Sequence, residues 1–533
     1  MGWHQQIGFP ILSVITYVPL LGALLIWIFG KGRPRFYKVV SLVATFAALV
    51  LSVVLLFKFD SANPAMQFAE DFMWVSRFNI HYGFGVDGIA ALLLLLTTLL
   101  GCIVIIASWN YVKDRERGFF TTLLLLQTGM TGVFCATDLF LFYVFWEFML
   151  VPMYFIIGVW GGPRKIYAAI KFVLFTLVGS LLMLVAIIVV VYYTYKQGTT
   201  TGAGGITFNI QELSRQTFPY GLQFWAFLAF FAAFAIKVPM FPVHTWLPDA
   251  HVEAPMAGSV LLAGVLLKMG AYGMLRFCLP FFPDAAVAYI PYVAVLSVIA
   301  IVYGALVSMM QKDLKKLVAY SSVSHMGFVT AGIFAAIALA GNAQGMEGAI
   351  LVMFSHGILT GALFLLVGFL YERTHTRQIS EMSQLAKPLP ILAGFFLFFV
   401  LGSLGLPGLS GFVGEFLSLL GLFHYSHWLG AIAATGMILA ACYLLWMYQR
   451  VLFNDRGDDE VKPAISVRDF GPREIASLVP LIVFAVWVGV YPQTFLNLLH
   501  VPVQTILDRV LGPSQQAHAH GLADLLHAAR GLF

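Results

Sequence analysis

The chain has 533 residues, of which 60% are hydrophobic and only 10% charged, with a formal net charge of +5. Soluble domains carry about 25% charged residues, so a chain this apolar cannot cover a water-facing surface. A soluble multidomain enzyme is therefore excluded, and the small basic excess, confined to short loops, gives no sign of a nucleic-acid partner.

A helix that crosses a bilayer needs about 20 apolar residues. On that basis the sequence predicts an all-α integral membrane protein with fourteen spans, at about 10–29, 39–57, 84–107, 119–136, 139–158, 170–195, 222–242, 254–278, 286–309, 318–338, 347–370, 390–425, 428–449 and 474–498. The run Ala90–Leu100 is apolar without alternation, which excludes a transmembrane barrel. No lysine or arginine precedes the first run, whereas Lys31, Arg33, Arg35 and Lys38 follow it. That order predicts an uncleaved first helix with its N-terminus outside. About three times as many basic residues fall in the loops this map puts inside as in those outside, so both termini are expected outside. The loop at 243–253 holds no basic residue.

Cys102, Cys135, Cys278 and Cys442 are scattered through apolar segments and form no CxxC pair. They read as small buried hydrophobes, not as ligands of zinc or iron–sulfur clusters or as a disulfide scaffold. Thr199–Gly205 and the polar segment to Tyr220 predict an external loop, and 454–473 a charged internal loop. The tail with His518, His520 and His527 reads as a short amphipathic end.

Four ionisable residues interrupt otherwise apolar spans: Glu147, Lys237, Lys268 and Glu415. A charge at mid-bilayer costs roughly 2.5–3.5 kcal/mol on insertion scales, so four unpaired ones would cost on the order of 10–14 kcal/mol. That rivals the whole stability of a typical domain, about 5–15 kcal/mol. Pairing, water or helix ends must offset it. Ion pairs that merely hold a bundle together are the bland reading. Two acids and two lysines with His325 and His356 on neighbouring spans favour a proton relay, since histidine titrates nearest neutrality. His244, just after a break, is expected near the inner mouth.

Two spans are broken. Span seven runs into Pro239 and Pro242 directly after Lys237, and span twelve contains Gly402, Gly405, Pro407, Gly408 and Gly411. Lys237 is expected at the carbonyl end of a half-helix and Glu415 near the amide start of another, so each sign matches its helix end. Discontinuous helices near the midplane mark transport sites. Span seven is fourth in the block of spans four to eight, and span twelve is fourth in the block nine to thirteen. Two inverted five-helix repeats follow, because an odd count starts the second copy on the opposite side. The organisation is then helices one to three at 1–118, a first repeat at 119–278, a second at 279–449, and a loop, last helix and tail at 450–533.

No GxGxxG, no P-loop and no paired haem ligands are visible, so ATP hydrolysis and direct electron transfer lack a motif. What remains is a path on which Glu147 holds the proton of Lys237, and separation of the two releases it towards Lys268, the histidines and Glu415.

The segments PMFPVHTWLPDAHVEAP (239–255) with Lys237 upstream, KMGAYGMLRF (268–277) and QKDLKKLVAYSSVSHMG (311–327) resemble the proton-translocating, antiporter-like subunits of respiratory complex I. The likeness covers at least spans four to thirteen. In GLPGLSGFVGEFLSLLG (405–421) the span-twelve charge is Glu415, where sister subunits L and N and the Mrp antiporter subunits typically carry lysine. The resemblance implies that Glu147 and Lys237 are a coupled pair, Lys268 the central lysine, His325 and His356 the linking histidines, and Glu415 the terminal charge. It implies no cofactor or metal in this chain, with flavin and iron–sulfur clusters in partner subunits. The partners implied are the other membrane subunits, especially L and N, together with lipids, in a bacterial inner membrane with periplasmic termini. The rival readings are a cation/proton antiporter subunit of the Mrp type and a purely structural membrane-arm component.

Overall fold

In a bilayer only a segment that closes its own backbone ladder can cross, so long apolar runs become helices. A computed structural model describes residues 2–198, 205–338, 343–382, 384–453 and 468–530, with the backbone alone at 5 and 513–530. The helices are α1 (Ile11–Phe29), α2 (Pro34–Phe57), α3 (Gly88–Ala107), α4 (Glu116–Cys135), α5 (Leu139–Trp160), α6 (Lys165–Gln197) and α7a (Tyr220–Lys237) with the short α7b (Trp246–Glu253). They continue as α8 (Met256–Phe281), α9 (Pro283–Met309), α10 (Leu314–Ala338), α11 (Ala343–Thr374), α12a (Pro390–Ser403), α12b (Ser410–Tyr425), α13 (His427–Leu452), α14 (Pro472–Val490) and α15 (Gln493–Arg530). Among the described residues thirteen helices are long and apolar enough to cross a membrane. The remaining predicted crossing, span twelve, is the pair α12a and α12b.

Two boundaries and the tail differ from the sequence expectation. Residues 84–86 belong to a strand, not to the third span. An antiparallel hairpin, β1 (Gln67–Val75) and β2 (Ile80–Val86), precedes α3 and turns at Asn79, whose φ of 51° suits asparagine. The fourteenth span stops at Val490, because Pro492 cannot continue its ladder, and α15 starts afresh beyond it. The tail is thus one long helix with a kink at Gly512. The predicted loops at 199–205 and 454–473 fall mostly outside the described residues, as do the side chains of His518, His520 and His527. Cys102, Cys135 and Cys278 are buried as expected, whereas Cys442 is exposed on α13.

The core sits on α8 and α11, which are wholly buried, and on α3 and α10, which are nearly so. Only about a third of α2, α13 and α14 is buried, and their outer faces are apolar. The central helices thus meet only protein, which is where a buried charge can find partners.

Candidate functional site

Span seven breaks where the sequence expects it. α7a ends at Lys237, and the freed carbonyl of Ile236 accepts a 2.8 Å bond from the Trp246 indole on α7b. Lys237 is 1% exposed. Its ammonium lies 5.3 Å from the ring centroid of Trp146 and 5.4 Å from that of Phe172, without a hydrogen-bond partner. Such cation–π contacts offset part of the cost of desolvation. Glu147 follows Trp146 on α5, and its Oε1 also lacks a partner. The two charges are electrostatic neighbours that no ion pair joins.

Lys268 sits on α8 between two stretches of wide, i→i+5 turns, Leu262–Leu266 and Met274–Cys278. Wide turns displace carbonyls from the regular ladder and recur at functional sites. The Lys268 ammonium donates to the carbonyl of Ala263, five residues back, and lies 2.6 Å from His356 Nδ1 on α11. A Cβ on Gly357 would come within 2.9 Å of the Gly264 carbonyl, so these two glycines let α8 and α11 approach closely enough for that contact.

His356 and His325 on α10 face each other with ring centroids 5.8 Å apart. His325 Nδ1 lies 2.6 Å from Glu415 Oε1 on α12b, and Tyr443 OH on α13 lies 3.4 Å from His325 Nε2. A cavity of about 10 Å³, room for about one water, is lined by His325, His356, Ser355, Ser403 and Glu415. The hydroxyls of Ser355 and Ser403 have no protein partner. Gly411, just past the break between α12a and α12b where Gly405 has φ 82° and Gly408 φ 91°, also lines this cavity.

The structure therefore joins Lys268, His356, His325 and Glu415 into one buried column. Lys237, whose Cβ lies against Gly270 of α8, and Glu147 are joined to it by no hydrogen bond or ion pair. Glu415 does not lie at the amide start of its half-helix, where the sequence predicts it. Glu415 is the sixth residue of α12b, beyond the first turn where helix amides attract an anion, and it is held by His325 instead. Tyr443 carried no sequence signal, because it lies in a lipid-like run. His251 did not stand out either. It is fully buried, stacks on Phe364 at 4.6 Å, and has both ring nitrogens unpartnered. His244 is buried against Phe241 and Tyr303.

The charges near the ends of the spans are handled differently. Arg276 pairs with Asp87, and Arg164 and Lys171 pair with Asp249. Among the described residues no group of three or more His, Cys, Asp or Glu is arranged to hold a metal.

Residues 136–440 match the family model described as NADH:quinone oxidoreductase/Mrp antiporter, and 18–131 match that for the amino terminus of NADH-ubiquinone oxidoreductase chain 4. The chain is 46% identical over 521 residues to NADH-quinone oxidoreductase subunit M of Rhodobacter capsulatus, covering 96% of this chain and 99% of that one. It is 43% identical to chain 4 of Marchantia polymorpha, covering 93% and 97%. Respiratory complex I from Thermus thermophilus contains a chain that superposes with a TM-score of 0.83 at 31% identity, covering 94% and 100%. A chain of the Mrp complex from a Dietzia species matches with a TM-score of 0.79 at 21% identity, a likeness of fold alone. By sequence and by fold, the chain belongs to the NADH:quinone oxidoreductase/Mrp antiporter family of membrane subunits, in its chain 4 or subunit M branch.

Proposed function

We propose that this chain translocates protons outward as a membrane subunit of a respiratory NADH:quinone oxidoreductase, driven by redox chemistry in partner subunits. The column Lys268–His356–His325–Glu415, with contacts of 2.6 Å at each end, carries the reading. An ammonium that donates to a neutral imidazole can pass it a proton. A histidine–carboxylate pair can hold that proton on either member without changing its net charge. The gap between the imidazoles adjoins the cavity that has room for one water, so a proton can cross it without large side-chain movement.

Glu147 and Lys237 act in this scheme as the gate. While the carboxylate is near, it holds the proton on the lysine, and withdrawal of the carboxylate frees that proton for Lys268. Two inverted five-helix units, 119–278 and 279–449, would each carry one broken helix for this purpose. The chain itself binds no flavin or iron–sulfur cluster, its neighbours include the L and N subunits, and it lies in a bacterial inner membrane with both termini in the periplasm.

The first test is a native gel of membranes carrying the tagged chain, stained for NADH oxidation. Comigration of tag and activity in one large band is expected. Lys237→Ala and Lys268→Ala should then abolish most proton pumping by the assembled complex. A tag confined to a small inactive band would redirect the reading to sodium/proton exchange, checked by sodium transport.

A further inference from the structure

Ser355 and Ser403 carry buried hydroxyls, 1% and 5% exposed, that the relay above does not use. Ser355 precedes His356 on α11, and Ser403 is the last residue of α12a. A serine or threonine inside a helix commonly bonds its hydroxyl to a carbonyl one turn back. Ser41, Thr97, Thr176 and Ser297 all do so, on Tyr37, Leu93, Phe172 and Val293. Ser355 and Ser403 do not, and neither hydroxyl has any other protein partner. A polar group is costly to bury unpaired.

Both serines line the cavity of about 10 Å³ that His325, His356 and Glu415 also line. His356 brings a third atom in need of a partner. Its Nδ1 meets Lys268 at 2.6 Å, and its Nε2 is buried without a protein partner. Glu415 brings a fourth group, since His325 takes its Oε1 and leaves Oε2. A buried water needs room for about one probe sphere and two to four polar groups around it. Ser355 Oγ, Ser403 Oγ, His356 Nε2 and the Glu415 carboxylate supply four, as many as a water molecule has hydrogen-bonding directions. They come from α11, α12a and α12b, so both halves of the broken span take part.

We infer that this cavity binds one water, held by Ser355 and Ser403 as positioning residues, and that the water carries the proton from His356 to the His325–Glu415 pair. As the Lys268 ammonium protonates His356 at Nδ1, the ring gives its Nε2 proton to the water, and the water gives one of its own to the Glu415 carboxylate. Only N–H and O–H bonds change, the water keeps two hydrogens, and no oxidant or reductant is needed. Each serine hydroxyl can donate or accept, so it stays bonded to the water whichever way the water's hydrogens point. A displacement of α12a takes Ser403 with it and leaves the water one holder short, which makes the break in span twelve a control on this step.

The inference rests on the relay proposed above, so Glu415→Gln is measured beside the serine variants. Electron cryo-microscopy of the intact, unaltered complex, at a resolution that shows ordered water, comes first. One density peak is expected within hydrogen-bonding distance of Ser355 Oγ, Ser403 Oγ and His356 Nε2. No peak there, in a map that shows buried waters elsewhere in the chain, overturns the site. The complex is then reconstituted in vesicles and protons pumped per NADH oxidised are recorded. Ser355→Ala combined with Ser403→Ala is expected to weaken the peak and to lower pumping on the order of tenfold, because a misplaced relay atom slows transfer even when every ionisable group remains. A wild-type ratio in that double variant, with Glu415→Gln impaired, overturns the water's part and leaves the relay standing. A wild-type ratio in Glu415→Gln overturns the relay itself and the proton-carrying water with it. Lower pumping together with lower heat resistance, the peak still in place, marks the serines as packing residues and overturns their positioning role. Should the double variant fail to assemble, the map of the unaltered complex decides alone.

Discussion

His325 and Glu415 meet at 2.6 Å, Nδ1 to Oε1, across α10 and α12b, with side chains only 7% and 6% exposed. A proton on this pair can sit on either partner. Glutamine at 415 would keep the size and one acceptor oxygen but could neither take nor release that proton. Glu415→Gln is expected to assemble and to lower pumping on the order of tenfold or more. Glu415→Asp, which keeps the carboxylate one methylene short, should fall between. The ratio of protons pumped to NADH oxidised in membrane vesicles measures this, and a wild-type ratio in Glu415→Gln would remove Glu415 from the path.

Lys268 separates charge from proton transfer. Its ammonium donates to the Ala263 carbonyl and meets His356 Nδ1 at 2.6 Å. Arginine keeps a positive charge but does not give up its proton in proteins. Lys268→Arg should therefore pump no better than Lys268→Met. Substantial pumping by Lys268→Arg would mean that the position needs only a fixed charge.

Much of this was legible in the sequence. Continuous apolar runs gave the spans to within a few residues, and Pro239, Pro242, Pro407 and the glycines around it located both broken helices. The charges stood out because nothing else near them was polar. The hairpin was not legible, because its exposed residues include Phe72, Met73 and Trp74, which blur the polar–apolar alternation of a half-buried strand. Tyr443 was hidden for the same kind of reason, as an aromatic among aromatics. The wide turns of α8 leave no residue signature, and the contacts of Glu347 with His500 and of Arg276 with Asp87 join residues more than 150 positions apart. Pairings of that range depend on helix packing that periodicity does not encode.

Gly357 tests the packing beneath the column. A methyl group there would meet Leu96 at 2.7 Å and the Gly264 carbonyl at 2.9 Å. Overpacking of a well-filled core costs about 1–3 kcal/mol. Gly357→Ala should push α11 from α8, lengthen the Lys268–His356 contact and lower both heat resistance and pumping. Gly361→Ala, one turn further on with its nearest neighbour at 3.6 Å, is the control and should do neither. Equal behaviour of the two variants would count against close approach as the basis of the contact.

Glu70 gives a pH prediction outside the spans. It lies in β1, 0% exposed, and its carboxylate accepts from the Leu12 amide at 2.8 Å and from the amide and hydroxyl of Ser13. Burial pushes its carboxyl pKa above the ordinary value, against the pull of those bonds. The folded chain then holds this proton to higher pH than the unfolded chain does. Stability from this group is highest below the ordinary carboxylate pKa and falls as pH rises through the raised one. The difference in melting temperature between wild type and Glu70→Gln should therefore shift against wild type across that window. A difference that grows in favour of wild type would show that the hydrogen bonds outweigh burial.

Asp87 caps α3 by accepting from the Ala90 amide, and it pairs with the Arg276 guanidinium, both side chains being nearly buried. Arg276 Nε also donates to Tyr272 OH, which donates to the Phe134 carbonyl, so one network ties α8 to α3 and α4. Breaking a buried pair from one side leaves an uncompensated charge and costs about 3–5 kcal/mol. Arg276→Met should thus lower the temperature at which the assembled complex dissociates. Adding Asp87→Asn removes the stranded charge while keeping a good helix cap. The double variant is therefore expected to be more heat-resistant than Arg276→Met alone, as read by native gels after stepwise heating. If the second substitution instead adds to the loss, the Asp87 charge favours the amide end of α3 by more than it costs when stranded without Arg276, and the ion pair is the lesser of its two roles.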